Sequence, residues 1–267
     1  MSWLLLAVLA AAPEPRRVVS LNLCTDQLVL GLLDRERIAG VSFLADDPDV
    51  SVEHTRASGL PRLHADAEEV LALAPDLVLA GRYGANETLR MLERVGIRVE
   101  RFPPPESIDD ARAQIVRAGA LLGEPGRAQA WVDVLASIPP RAERPALRAV
   151  SYGFGGSTAG TGTLEDELLE RGGFENLARR LGLGPYAALS MEQLVMGRPE
   201  VVVVSTYRAS APTLWREALH HPALVDRTHW TVVPLPSAWT SCPTPMLAAA
   251  VERLRAAARE RAAEAAR

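Results

Sequence analysis

Two stretches of the chain, EEVLALAPDLVLAGRY (Glu68–Tyr83) and EQLVMGRPEVVVVSTY (Glu192–Tyr207), decide the fold because they align without a gap. Both start with glutamate, and Pro75 of the first coincides with Pro199 of the second. Each begins with a short apolar helical pattern, which ends at the proline because proline cannot continue a helix. An aliphatic run follows, as is typical of a buried strand in a parallel sheet. The repeat therefore predicts two similar α/β lobes with a ligand cleft between them.

Strands and helices alternate through the rest of the chain, which indicates doubly wound parallel sheets. In the first half, strands are predicted at 38–42, 76–80 and 97–102, with helices at 67–74 and 86–95. The same order recurs after a helical crossover. The predicted organisation is a signal segment at 1–12, an N-terminal lobe at 13–122, a linking helix at 123–145 and a C-terminal lobe at 146–267.

Composition excludes several classes of protein. Hydrophobic residues make up 48% of the 267 residues and charged residues 23%, which is ordinary for a globular protein. The net charge is −4 and every basic residue is arginine, with no basic run that could follow a phosphate backbone. We therefore expect no nucleic-acid partner. We also expect no bound cofactor and a monomer.

The N-terminus resembles an export signal. The segment WLLLAVLAAA (Trp3–Ala12) is apolar and ends in small residues, as a secretory signal does before its cleavage site. A membrane anchor is the alternative, but a span needs about 20 apolar residues. The segment therefore predicts a soluble protein exported to the periplasm.

Two cysteines lie far apart in the sequence but in equivalent surroundings. Cys24 follows the first strand and Cys242 the last one, so each is expected at the carboxyl edge of its own lobe. In an exported protein this favours a disulfide over free thiols, with a thiol–metal role third. A disulfide requires Cα atoms within about 7 Å of each other.

The glycine-rich stretch GFGGSTAGTGT (Gly153–Thr163) lies between a predicted strand and a helix, where a dinucleotide-binding loop would stand. Its glycines do not fit that fingerprint, because neither possible start has glycine at the sixth position. Backbone N–H groups at a helix start can still bind an anionic group. A flexible or close-packed turn is the favoured interpretation.

Aromatic rings and two arginines cluster at the turns that should form the carboxyl edges. Core packing explains any one ring, but the cluster favours a large, partly apolar ligand, with arginines for its anionic groups. Of the five histidines, only His64 is placed near the cleft. The candidate ligand-binding residues are Cys24, Phe43, His64, Arg82, Tyr83, Tyr152, Phe154, Tyr186, Tyr207, Arg208, Trp239 and Cys242.

Five segments together resemble the periplasmic substrate-binding proteins of cobalamin and ferric-siderophore ABC importers. They are RVVSLNLCTDQLVLGL, EEVLALAPDLVLAG, GGFENLA, MEQLVMGRPEVVVV and VVPLPSAWTSCP, and the resemblance covers residues 16–256. It implies two α/β lobes joined by a single long helix, with little hinge motion, and a metal chelate carried whole.

The resemblance also implies roles for particular residues. Glu68 and Glu192 would dock the two lobes onto arginines of a membrane permease. In the cobalamin binders of this family, the turns that hold Phe43, Tyr186 and Ala238–Cys242 contact the ring, and tryptophan tends to stand where this chain has Tyr186.

Two rival functions come from other classes. A two-lobed α/β enzyme, such as a nucleotide-sugar transferase or a chelatase-like protein, would need a phosphate fingerprint or a general base in the cleft. A receptor for free zinc or manganese would need three cleft histidines, whereas the sequence places one at most. The sequence therefore favours a binding protein that is not an enzyme and has no bare-metal site.

Overall fold

The computed structural model describes residues 14–141, 147–205 and 230–265. Five parallel strands form the first sheet, in the order β3–β2–β1–β4–β5. The first strand lies in the middle, so the chain winds outward in both directions, as predicted for a doubly wound sheet. The strands are β1 (Val18–Ser20), β2 (Ile38–Ser42), β3 (Arg62–Leu63), β4 (Leu77–Gly81) and β5 (Arg98–Phe102).

Helices cover both faces of this sheet at its centre, which is why the central strands β1, β2 and β4 are largely apolar, whereas the edge strand β5 carries charged side chains. In β4, Leu77 and Leu79 pack into the large core on one face, whereas Val78 and Ala80 pack into a smaller cluster on the other. Successive side chains of a strand point to opposite faces, so a strand covered on both sides is apolar at most of its positions. The connecting helices are α1 (Leu23–Leu32), α2 (His54–Ala57), α3 (Ala67–Ala72) and α4 (Asn86–Arg94).

The second sheet repeats this arrangement with four parallel strands in the order β11–β10–β6–β8. In β10, Val201 and Val203 pack into the large core and Val202 into a separate cluster behind the sheet. The fold class predicted from the repeat is therefore confirmed. The strands are β6 (Leu147–Ser151), β8 (Phe174–Asn176), β10 (Val201–Ser205) and β11 (Thr231–Leu235), and the helices are α7 (Leu164–Arg171), α8 (Leu177–Arg180), α9 (Met191–Gly197), α10 (Ser237–Thr240) and α11 (Met246–Ala265).

The glycine-rich stretch is a close-packed turn that leads into a small second sheet. A short 3₁₀ turn at 154–156 is followed by β7 (Ser157–Ala159), which pairs antiparallel with β9 (Tyr186–Ala188). At Gly160 a Cβ atom would lie 2.3 Å from the Leu183 carbonyl oxygen, so only glycine permits this approach. The sequence predicted the turn but not β7, β8, β9, α2 or α8.

Two helices carry the chain from the first sheet to the second. They are α5 (Ile108–Leu122) and α6 (Pro125–Ala136), which pack closely where Gly119 meets Ala128. The predicted linking helix at 123–145 corresponds to α6, which ends earlier, while 142–146 lie outside the described residues. One large core includes Leu77 and Val201 together with side chains of α5 and α11, so apolar packing is continuous between the sheets.

Candidate functional site

Four of the predicted site residues in the N-terminal lobe lie where strands of the first sheet end. Phe43 follows β2, and its ring stacks on His64, which follows β3, with centroids 5.3 Å apart and an interplanar angle of 9°. Arg82 and Tyr83 follow β4, and the guanidinium lies 5.9 Å from the tyrosine ring centroid. Phe43 is 51% and Tyr83 70% exposed, so both rings are available to a ligand.

A disulfide joins this edge to the second lobe. Cys24 lies in the first turn of α1, directly after β1, and is bonded to Cys242, which follows α10. The Cα atoms are 4.9 Å apart, within the limit expected for such a bond. The disulfide favoured by the sequence is therefore confirmed, and it brings the carboxyl edges of the two sheets together.

A cavity of about 450 Å³ lies beside this junction, a size typical of small-molecule sites. Val50 contributes from the first lobe, and the remaining wall comes from the second lobe, at the carboxyl ends of β6, β10 and β11 and along α7 and β9. The lining residues are Val50, Ser151, Tyr152, Gly153, Ser157, Thr158, Ala159, Glu165, Leu168, Leu169, Tyr186, Val203, Ser205, Leu235, Ser237, Thr240, Ser241 and Leu254.

Hydroxyl groups dominate the polar part of this wall. The Ser151 Oγ accepts a hydrogen bond from the Ala159 backbone N–H at 3.1 Å, which ties β6 to β7. Ser205 and Ser237 share a hydrogen bond between their hydroxyls across the ends of β10 and α10. Hydroxyls both donate and accept, so this surface can bind either kind of polar ligand group.

Glu165 is the one carboxylate in the described lining. It lies in the first turn of α7, and burial raises its pKa above the ordinary glutamate value. Tyr186 on β9 lines the same cavity and is 80% exposed. Partial burial of the phenol, together with the nearby carboxylates of Glu165 and Glu106, raises the pKa of Tyr186.

The other candidates of the second lobe occupy different environments. Tyr152 lines the cavity but is 5% exposed and packs in the cluster behind the second sheet, and its burial raises its pKa. Trp239 in α10 is partly buried against the large core. Phe154 belongs to the 3₁₀ turn, and its side chain lies outside the described part of the structure. The predicted Tyr207 and Arg208 also lie outside the described residues.

Glu68 and Glu192 occupy equivalent places in the repeat. Each is the second residue of its helix, α3 or α9, and each is exposed. Side-chain caps fix both helix starts: Asp66 accepts from the Glu68 N–H, and Ser190 accepts from the Gln193 N–H in a capping box. The two carboxylates are thus displayed on rigid helix ends.

Sequence reasoning missed Glu165 and the serine-rich wall. The signal for Glu165 was its place in the first turn of the helix that follows the glycine-rich stretch, but a run of acidic residues there is also usual at a helix start. Two of the serines, Ser151 and Ser205, end the strands β6 and β10, yet serine is too common at such ends to be singled out.

The described residues lack two further features, a membrane-spanning helix and a cluster of metal ligands. None of their helices has the length and apolar character needed to cross a bilayer. Over the same ranges, no group of three histidine, cysteine or acidic side chains is arranged to hold a metal ion. Of the histidines, His54 contacts the Ser51 carbonyl through Nδ1 and His64 is exposed beside Phe43.

Residues 18–224 match the family described as periplasmic binding protein. A cobalamin-binding protein from Halobacterium salinarum strain R1 is 32% identical over 80% of this chain, and the chain spans 60% of that relative's length. A vitamin B12-binding protein from Yersinia pestis strain Pestoides F is 26% identical over 85% of this chain and 82% of its own length.

A solved structure is similar over nearly the whole fold. The periplasmic heme-binding protein RhuT from Roseiflexus sp. RS-1, in its apo form, superimposes with a TM-score of 0.74 at 24% identity, covering 91% of this chain and 99% of its own. That likeness supports the two-lobed fold, and the family match extends from β1 to beyond β10. The chain therefore belongs to the periplasmic binding protein family.

Proposed function

We propose that the protein is an exported solute-binding protein that holds one metal chelate between its lobes and delivers it to an ABC importer. The observation that carries the proposal is the cavity of about 450 Å³ in the second lobe, beside the disulfide that joins the carboxyl edges of the sheets and lined by the exposed Tyr186. Its relatives are named for binding cobalamin or vitamin B12, and a protein of the same fold is named for binding heme, which supports a metal chelate as the ligand.

Residues at the carboxyl edges of both sheets would contact the ligand. Phe43 and Tyr83 offer exposed ring faces on the first lobe, and Tyr186 offers one on the second. Stacking on a flat macrocycle needs such uncovered rings, whereas the buried Tyr152 would shape the cavity floor. Arg82 would pair with an anionic group at the rim.

Binding of intact chelates by the purified mature protein tests the proposal. We expect isothermal titration with cyanocobalamin, haem b and ferric siderophores to give one ligand per chain for at least one of them. The ligand should be recovered unchanged, as judged by its absorption spectrum. No binding of any of these chelates would contradict the proposal, and chemical conversion of the ligand would favour the enzyme alternative.

We further propose that Glu68 and Glu192 dock the lobes onto a membrane permease. Their equivalent, exposed positions on two capped helices give two matched negative charges, which suit basic partners. Reversal of both to arginine should abolish transport in cells and leave ligand affinity unchanged. Glu252→Arg, an equal charge reversal at an exposed site on α11, is the control. Retained transport by the double variant would remove the docking role.

Export rests on the apolar segment at 3–12. N-terminal sequencing of the mature protein from a periplasmic extract should begin just after Ala10 or Ala11. Full-length protein confined to the cytoplasm would contradict export.

A further inference from the structure

The cavity wall contains an acidic side chain that the fold does not use. Helix α7 carries four acidic residues, and three of them are engaged in the lobe. Asp166 accepts hydrogen bonds from Asn176 and Arg179. Glu167 accepts hydrogen bonds from the Ile108 N–H and from Arg171. Glu170 forms ion pairs with Arg179 and Arg141.

Glu165 is different from these three neighbours. Among the described residues no hydrogen bond or ion pair engages its carboxylate, although it is partly buried and faces the cavity. Removing a carboxylate from water without a partner is costly. The first turn of α7 offsets part of this cost through the helix dipole. Burial nevertheless raises the pKa of Glu165, so the offset is incomplete.

The residues around Glu165 indicate which kind of ligand group could bind its carboxylate. The other described lining side chains are hydroxyl-bearing or apolar, and these eighteen residues include no arginine, lysine or histidine. An anionic ligand group placed at this wall would meet a carboxylate and no described cation. A ligand N–H group or a positive charge would instead form a charge-assisted hydrogen bond with Glu165.

We infer that Glu165 is a specificity-determining residue of the cleft, selecting chelates that present amide or amine N–H donors to the α7 wall over chelates that present carboxylates. This inference rests on the proposed function and narrows its ligand class. It favours an amide-bearing corrinoid over a carboxylate-bearing porphyrin. Tyr186 on β9, which lines the same cavity as Glu165, would complete the recognition by stacking or by its hydroxyl.

Two probes separate these classes: cyanocobalamin, whose periphery carries amides, and haem b, which carries two propionates. Calorimetric titrations at pH 8, which favours the ionised carboxylate, should show tighter binding of cyanocobalamin than of haem by the wild type. Glu165→Gln should weaken cyanocobalamin binding about tenfold, since a hydrogen bond to a charged group becomes a neutral one. The same variant should bind haem several-fold more tightly, because an unpaired negative charge is gone.

Controls distinguish a binding role from a structural one. Glu165→Asp should retain the wild-type order of the two ligands, and Glu252→Gln, the same charge change on the exposed face of α11, should alter neither affinity. The thermal midpoint of Glu165→Gln should be unchanged or higher, because the variant removes a desolvated charge. A lower midpoint with unchanged affinities would mark a structural residue.

The outcomes separate this inference from the proposed function. If the wild type binds a chelate but Glu165→Gln shifts neither affinity by more than twofold, or if haem binds the wild type more tightly, the inference is wrong while the proposed function stands. If the wild type binds no chelate, both are wrong.

Discussion

Asp26 shows how a single buried carboxylate can make stability depend on pH. It lies in the first turn of α1 and is fully buried, accepting hydrogen bonds from the Ser42 N–H at 3.0 Å and the Ser42 hydroxyl at 2.5 Å. Burial raises its pKa to about 6 from the ordinary 3.8, although the hydrogen bonds oppose this change. The folded protein therefore holds this proton more tightly than the unfolded chain.

A raised carboxyl pKa has a definite sign in the linkage between protons and folding. Between pH 3.8 and about 6 the folded state binds more protons than the unfolded state, so the Asp26 contribution to stability falls as the pH rises. We expect the free energy of unfolding of the wild type, minus that of Asp26→Asn, to fall by about 2 kcal/mol across this window. Urea denaturation at several pH values measures this difference, in which the other titrating groups cancel.

Two results would contradict this prediction. One is a difference that stays flat between pH 4 and 6. The other is a direct NMR titration of the Asp26 carboxyl carbon with a midpoint near the ordinary value of 3.8.

At the residue scale, the sequence predicted which positions of the two lobes correspond better than it predicted which side chains contact each other. The alignment pairs Asp76 with Glu200, and in the structure both bind the backbone N–H at the first strand of their sheet: Asp76 that of Arg17 at 3.1 Å, and Glu200 that of Arg148 at 2.7 Å. Glu165 was not predicted, because whether an acidic residue at a helix start faces a cavity or an arginine depends on tertiary packing.

At the scale of secondary-structure elements, the repeat is visible in the way that α3 and α9 end. Ala74 after α3 and Arg198 after α9 both have left-handed backbone conformations, with φ of 43° and 46°. A side chain in this region costs about 1–2 kcal/mol, and glycine avoids that cost. In both lobes the strained residue directly precedes the proline that starts the strand segment. The two helices therefore end with the same backbone conformation.

This shared strain predicts opposite effects for two neighbouring substitutions. Ala74 is exposed, so Ala74→Gly should raise the free energy of unfolding by about 0.5–1 kcal/mol by relieving backbone strain. Ala72 is also exposed but ends α3 with helical geometry, and Ala72→Gly should lower stability by about 1 kcal/mol. Chemical denaturation of both variants gives the two signs, and destabilisation by Ala74→Gly would refute the argument.

Regular elements were predictable where a local pattern existed. The predicted helix at 86–95 and the predicted strand at 76–80 match α4 and β4 within one residue. The short strands β7 and β9 were missed, because STA and YAA have no local strand signature. They pair only because glycines at 156 and 160 let the two segments approach each other. These strands form because of tertiary contacts, which the periodicity of the sequence does not reveal.

For the whole molecule, the important feature is how the two sheets are held relative to each other. Helices α5 and α6 connect them on one side, and the large core runs from β4 through α5 to β10 and α11. At the carboxyl edges the Cys24–Cys242 bond forms a second, covalent connection. Opening of the cleft by rotation about the helices would pull on this bond, so the disulfide limits how far the lobes can separate.

Removal of the disulfide should therefore change both stability and ligand entry. We expect the Cys24→Ser/Cys242→Ser variant to lose about 2–5 kcal/mol of unfolding free energy, because the unfolded chain is no longer closed into a long loop. Without ligand, it should have a larger radius of gyration by X-ray scattering than the wild type and a faster association rate with whichever chelate the wild type binds. Wild type treated with reductant should reproduce both changes, whereas reductant should leave the double variant unaffected. Identical scattering and association rates for the oxidised and cysteine-free proteins would show that the bond does not restrain the cleft. Two titratable thiols in denatured, unreduced wild type would show that the bond does not form.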